Sequence, residues 1–424
     1  MSNIITLERG EETRTLAEQE APRHVAAAGP QRGKKGLSFA LAVLCLVAAA
    51  SGLRPTIVSV GPVLPDLVDA FGLPHTQAAM LTAIPTLLMG LLALPTPWLA
   101  SRYGRDRVIV AALLVLASAS FARAFSTSSW ALLLSTAGTG VGIAFAGALI
   151  PGFVKAGFPT RLALLMGIYA MALSLGSTVA AAATGFLAEQ FGGWRPALGF
   201  WALPALIGAG AWTMVAARER GAQPVPKSGR GICLPVRNPV AWRVAAFFAC
   251  NNVIFYGCIA WLAPIHVELG RSSASAGLIL ASFTLAFMIG TFVVGVLSRH
   301  VDRRIWLAMS AGLAFAGIVW VAIAPTTLPF VAASLMAFGI GGAFTLSMTL
   351  PLDNARTQGE AAAWNAFALL VSYPVGATGP ILVGTLRDMT GGFSASLIFL
   401  AIASGVMLAL TPFLRPYYLS VRKP

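Results

Sequence analysis

Charge is scarce in this chain. Asp, Glu, Lys and Arg make up 10% of its 424 residues, where a soluble globular chain carries about a quarter. The shortage is one-sided, with 15 acids against 29 Lys and Arg and a formal net charge of +14. So few charges cannot keep in solution a chain that is 57% hydrophobic. Nor does the positive excess fit nucleic acid, because it lies in short clusters between apolar runs, as loop charges do in a multi-span protein. Potential metal ligands are equally few. His24, His75, His266 and His300 are scattered through expected tail and loop positions without metal-ligand spacing. Cys45, Cys233, Cys250 and Cys258 read as small packing residues. No glycine-rich phosphate cradle followed by Lys-Ser or Lys-Thr occurs, which argues against ATP-driven pumping. The expectation is a non-enzyme with no metal and no cofactor.

What the chain has instead is long apolar runs. They are too long and too unalternating for barrel strands, and open strands cannot sit in lipid with unpaired backbone. An all-α integral membrane protein follows, with spans of about 20 residues each. Twelve are expected, near 38–66, 76–101, 107–125, 129–151, 161–189, 195–216, 241–264, 275–298, 304–324, 328–351, 361–387 and 393–415. Residues 1–36 mix both charges with Ala, Gly and Pro and read as a disordered cytoplasmic tail without a secretory signal. The polar, Pro- and Gly-rich stretch 217–240 reads as a cytoplasmic linker between six-helix bundles at 37–216 and 241–415, and 416–424 as a second cytoplasmic tail.

Alternating loops differ in charge. Most of the Lys and Arg fall in the tails, the linker and the loops after even-numbered spans, whereas Arg123, Arg195, Arg271 and Arg387 fall in the other set. The positive-inside rule then places both termini in the cytoplasm, in a multi-pass protein of the inner membrane. The chain also repeats itself. "LASRYGRDRV" (99–108) matches "VLSRHVDRRI" (296–305) 197 residues on, and "GFLAEQFGGW" (185–194) matches "GTLRDMTGGF" (384–393) at an offset of 199. Two parallel six-span repeats carrying inner basic turns are the arrangement of the major facilitator fold.

Within the first span, "SGLRPTIVSVGPVLP" (51–65) holds a lone cation, Arg54. An arginine near a span centre costs roughly 2.5–3.5 kcal/mol on insertion scales. The expected spans offer no carboxylate at that depth, since Asp66, Asp69, Glu189, Glu268, Asp302, Asp353 and Glu360 all fall at or beyond span ends. The outer end lies about 12 residues off, roughly 18 Å at helical rise, too far for the side chain to snorkel. Arg54 is therefore expected to face a central aqueous cavity as an anion-binding group, its planar donor fork suited to a small anion. Matching Pro65 with Pro264 sets Arg54 level with Val253, beside Asn251, Asn252 and Tyr256 of "NNVIFYGCIAWLAP" (251–264). Those amides serve equally well as interhelical glue. Phe145 and Phe344, again 199 apart, and Tyr373 beside Pro374 are further cavity candidates, although packing explains the phenylalanines too. "GATGPILVG" (376–384) reads as a close helix contact.

Four stretches carry a family resemblance: "LRPTIVSVGPVLP" (53–65), "ALIPGFVKAGFPTRLALLMGIY" (148–169), "FYGCIAWLAP" (255–264) and "GPILVGTLRDMTGG" (379–392). Together they resemble the cyanate permease family of the major facilitator superfamily, which also contains nitroimidazole-type transporters. The resemblance implies a twelve-helix secondary transporter with Arg54 at its substrate site, joined by Tyr256 and Trp261. The chain departs from the family pattern at Gly52 and Gly147, where asparagine is common, and at Ser101 in the loop signature. The expected function is alternating-access transport of a small anionic solute by a monomer, with a coupling proton as a possible second partner. Efflux of neutral or aromatic drug-like compounds is the alternative, and a non-transporting membrane sensor a distant one.

Overall fold

The computed structural model describes residues 38–218, 234–298, 302–355 and 357–414. The expected tails at 1–36 and 416–424, most of the linker, Cys233, His24 and His300 lie outside the described residues. Every regular element among those described is helical. In chain order these are α1 Phe39–Leu53, α2 Pro55–Val58, α3 Leu64–Phe71, α4 His75–Ala78, α5 Met80–Leu91, α6 Thr96–Tyr103, α7 Arg105–Ala124, α8 Ser129–Gly157 and α9 Leu162–Gln190. There follow α10 Trp194–Phe200, α11 Ala202–Arg218, α12 Pro239–Glu268, α13 Ser273–Leu297, α14 Arg304–Ile323, α15 Pro329–Asn354, α16 Gln358–Thr390 and α17 Ser394–Leu410.

Among the described residues, eleven runs are long and apolar enough to cross a membrane. The segments His75–Leu91 and Thr96–Tyr103, bent by 68° at their junction, supply a twelfth when counted as one broken span. The break falls where Pro95 and Pro97 remove two amide donors. This broken span covers the second span expected near 76–101. The first span is also broken and extends past the expected end at 66 to Phe71. Several starts carry a side-chain cap that satisfies an orphaned amide. Ser128 accepts from the Ala131 amide at 3.2 Å, Ser272 from Ser275 at 3.2 Å and Asn238 from Val240 at 2.9 Å.

The chain runs back and forth between two faces. The starts of α1 and α12 and the end of α17 share one, here the near face; the turns after α3, α9, α12 and α16 share the far face. α12 is the most enclosed span, 89% buried, against 33% for the last one. The peripheral helices turn apolar side chains outward: Trp130, Leu134, Ile305 and Ile323 are all at least 73% exposed. Such a rim matches hydrocarbon rather than water.

Among the helix pairs that join early and late parts of the chain, α5 with α16 and α9 with α13 are the most extensive. Glycine makes the close approach at the far face possible. A Cβ on Gly384 would sit 2.6 Å from the His75 carbonyl oxygen, and one on Gly185 would run into the Ser273 carbonyl. These glycines are 199 residues apart, so the same contact is made twice.

Candidate functional site

Proline creates the site. Pro55 has no amide hydrogen to give the preceding turn, and Pro62 repeats the loss about two turns on. Hydrogen bonding tightens and shifts as a result. The amides of Ile57 and Val58 both donate to the Arg54 carbonyl, at 3.1 and 3.2 Å, and that of Val60 reaches only Ile57, at 3.4 Å. The Thr56 carbonyl is left without a helical donor. The guanidinium of Arg123 on α7 supplies one, donating from Nη1 at 2.8 Å.

Arg54 lies at this break. From Gly52 to Leu64 every residue is buried except Arg54, which keeps accessible surface although its neighbours on both sides have none. That surface cannot belong to the outside of a helix whose adjoining turns are covered all round; it faces a gap inside the bundle. Three tyrosines surround the gap: Tyr169 from α9, Tyr256 from α12 and Tyr373 from α16. The charge of Arg54 acts on all three hydroxyls, and the Tyr256 hydroxyl points to Met89 Sδ at 4.0 Å. The Tyr256 and Tyr373 rings are 6.3 Å apart. Among the described residues, the ion pairs are His75–Asp388, Arg105–Asp106, Arg303–Asp353, Arg304–Asp302 and Arg387–Glu268, and none includes Arg54. A permanent cation therefore stands among neutral hydroxyls, which leaves room for an anion to complete its coordination.

The other candidates scatter around this centre. Phe344 is half-buried and packs edge-on against Phe248 at 5.7 Å and near Phe287 at 5.6 Å. Phe248 in turn meets Tyr373 at 6.3 Å, so aromatic rings lead from the tyrosines toward α15. Phe145 is half-buried, with no ring partner among the described residues. Asn251 is fully buried with both amide atoms unpartnered; Asn252 is 2% exposed, its Cβ lying where α16 closes in at Gly376. Trp261 has different company. Its indole donates to the Pro380 carbonyl at 2.9 Å and packs against His75 and Phe393 toward the far face.

Two residues near the centre escaped the sequence analysis. Tyr169 closes one of the quoted family stretches, and only its single hydroxyl in an apolar span marks it. Arg123 was expected in an outer loop; it lies in the last turn of α7, 2% exposed, and also donates to Thr139 at 3.0 Å and Thr136 at 3.3 Å. The threonine pair at 136 and 139 on the next span was the available signal. Gly52 has a packing reason, since a Cβ there would lie 2.9 Å from the Pro204 backbone; at Gly147 nothing lies within 4 Å. A small apolar void between α12, α14, α15 and α17, lined by Cys258, Trp261 and Met336 among others, offers no charge to a ligand. No cluster of metal-ligating side chains occurs among the described residues.

The model of the Major Facilitator Superfamily matches residues 39–377, most of the chain and every element of the Arg54 site. The chain belongs to the major facilitator superfamily. Among curated members it is 33% identical to the cyanate transport protein CynX of Escherichia coli K12, over 87% of this chain and 96% of that one. It is 30% identical to the 2-nitroimidazole transporter of the same organism, over 84% and 91%. In three dimensions this superfamily member is similar to a bacterial homologue of the human lysosomal transporter Spinster. The inward-facing occupied and unoccupied structures of that protein give TM-scores of 0.73 and 0.75 at 18% and 17% identity, covering 91% of this chain and 98% of that one. The protein is thus a multi-pass membrane protein of a transporter family, as the sequence resemblance implied.

Proposed function

We propose that this major facilitator superfamily protein is a secondary active transporter of a small anionic organic solute, and that Arg54 supplies the counter-charge. One observation carries the proposal: an arginine deep in the bundle that keeps some accessible surface, with tyrosines around it and no carboxylate partner among the described residues. In a low-dielectric surrounding such a cation is costly alone and is stabilised by an anion that accepts from its fork. A relative named for cyanate transport is consistent with a small anion. Both termini face the cytoplasm on this reading, the far face is periplasmic, and the chain works as a monomer with six-helix halves at 37–216 and 241–415. Access alternates when contacts across the far face, α5 with α16 and α9 with α13, open while those at the near face close.

The test is uptake into proteoliposomes of radiolabelled cyanate and small carboxylates by wild type and Arg54→Ala. Loss of saturable anion uptake in the variant supports the assignment, and unchanged rate and affinity would remove Arg54 from the site.

A second reading has its own support. The ring series Tyr256, Tyr373, Phe248 and Phe344 suits a flat aromatic solute, and one relative is named for 2-nitroimidazole. A neutral aromatic cargo would make Arg54→Lys nearly silent, whereas an anion held by a bidentate fork would not tolerate it.

A further inference from the structure

A second arginine is built into the same broken helix from behind. Arg123 reaches from α7 to the Thr56 carbonyl, two residues beyond Arg54, and fixes the stretch where ordinary helical bonding has failed. Without that donor the carbonyl would be unsatisfied in a medium with no water to replace it, and the stretch 56–60 would lose the contact that fixes its shape. The other nitrogen, Nη2, donates to Thr136 and Thr139 on α8, so one side chain ties the break to two neighbouring spans. Nε has no partner, and no carboxylate pairs with the group among the described residues. Its charge is therefore uncompensated, like that of Arg54.

We propose that Arg123 is a positioning residue for the anion site: it holds the Arg54–Val60 break in shape through the Thr56 carbonyl. Its link to anion binding rests on the reading of Arg54 as an anion ligand; the brace stands on its own geometry.

Full-length protein in nanodiscs, as wild type, Arg123→Gln, Arg123→Lys, Thr139→Val and Arg54→Ala, is compared by hydrogen exchange and by cyanate titration. In Arg123→Gln the amides from Ile57 to Val60 should exchange about tenfold faster or more, with the rest of α7 and α8 little changed. Cyanate should bind about tenfold more weakly to that variant, and less weakened to Arg123→Lys, which keeps the charge. Thr139→Val removes a contact on α8 but not the bond to Thr56, and should lower the melting point while leaving exchange at 57–60 and cyanate affinity within about twofold. If Arg123→Gln does not fold, Arg123→Lys decides through the exchange at 57–60. Exchange that rises evenly along α7 and α8, or not at all at 57–60, overturns the brace. Weakened cyanate binding that Thr139→Val reproduces in full also overturns it, because helix pinning would then suffice. Unchanged cyanate binding in Arg54→Ala brings down the anion reading alone, and the exchange result is unaffected by it. A wild type that binds no cyanate leaves the exchange arm to decide.

Discussion

Glu189 and Asp388, 199 residues apart in sequence, each cap the first turn of a helix belonging to the other part of the chain. Asp388, near the end of α16, accepts from the His75 amide at 2.9 Å, the Thr76 amide at 2.8 Å, the Thr76 hydroxyl at 2.7 Å and His75 Nδ1 at 2.7 Å. Glu189, near the end of α9, accepts from the Ala274 amide at 2.9 Å. Each carboxylate meets the positive end of a helix, where orphaned amides and the helix dipole both favour it. The internal repeat has thus become a pair of latches on the far face. The Asp388 latch has four contacts and the Glu189 latch one, so the two are equivalent in position and unequal in strength.

Removing the stronger latch should open the far face. Asp388→Asn is expected to weaken the closed state by about 1–2 kcal/mol, the range for losing a charged helix cap. Glu189→Gln should cost less, within about 1 kcal/mol. Spin labels placed on far-face loops and read by pulsed dipolar spectroscopy would report the change as a broadened, longer distance distribution. Equal responses from the two variants would contradict the unequal geometry.

Arg54→Ala should weaken binding of an anionic solute by roughly 10- to 100-fold, the value of a charge-assisted hydrogen bond of about 1.5–3 kcal/mol. Arg54→Lys should recover part of this, because charge is kept and the planar fork is lost. Equilibrium binding to detergent-purified protein measures both.

Tyr256→Phe separates hydroxyl from ring. The ring packs at 5.1 Å against Phe255 and its place in the core is unchanged by the substitution. The hydroxyl beside Arg54 and Tyr373 disappears, and with it the contact to Met89 Sδ. Anion affinity should fall by about 0.5–1.5 kcal/mol, roughly three- to tenfold, with the melting point little altered. A neutral aromatic solute titrated alongside should lose less.

Trp261→Phe makes the opposite prediction. The indole donates to Pro380 and stands with His75 and Phe393, so its loss acts on the far-face packing. About 1 kcal/mol of stability should go, from one buried hydrogen bond, with anion affinity unchanged. A large affinity change without a stability change would move Trp261 into the binding site, where the family resemblance had put it.

The apolar runs, their number and their helical character were readable from composition because lipid permits few other solutions. The family was readable from four short stretches. The repeat gave the 199-residue offset, and with it the register between Glu189 and Asp388, but not that the two would reach across to opposite helices. Side chains made the difference at the centre. Arg54 announced itself as a charge in an apolar run, whereas Arg123, only a few residues from a loop, looked like an ordinary end-of-span charge. Whether such a residue turns outward to headgroups or inward to a broken helix depends on the rotation of α7 against α1 and α8, and no local pattern encodes that.

By itself, then, the sequence determined a twelve-span helical protein of the major facilitator superfamily with a cation in its first span, because hydropathy and span length are local quantities. The tertiary structure alone decided that three tyrosines from α9, α12 and α16 meet that cation, that Arg123 braces the carbonyl beside it and that Trp261 packs elsewhere. Those outcomes follow from how helices distant in the chain rotate and cross, and packing fixes that geometry only once all of them are in place.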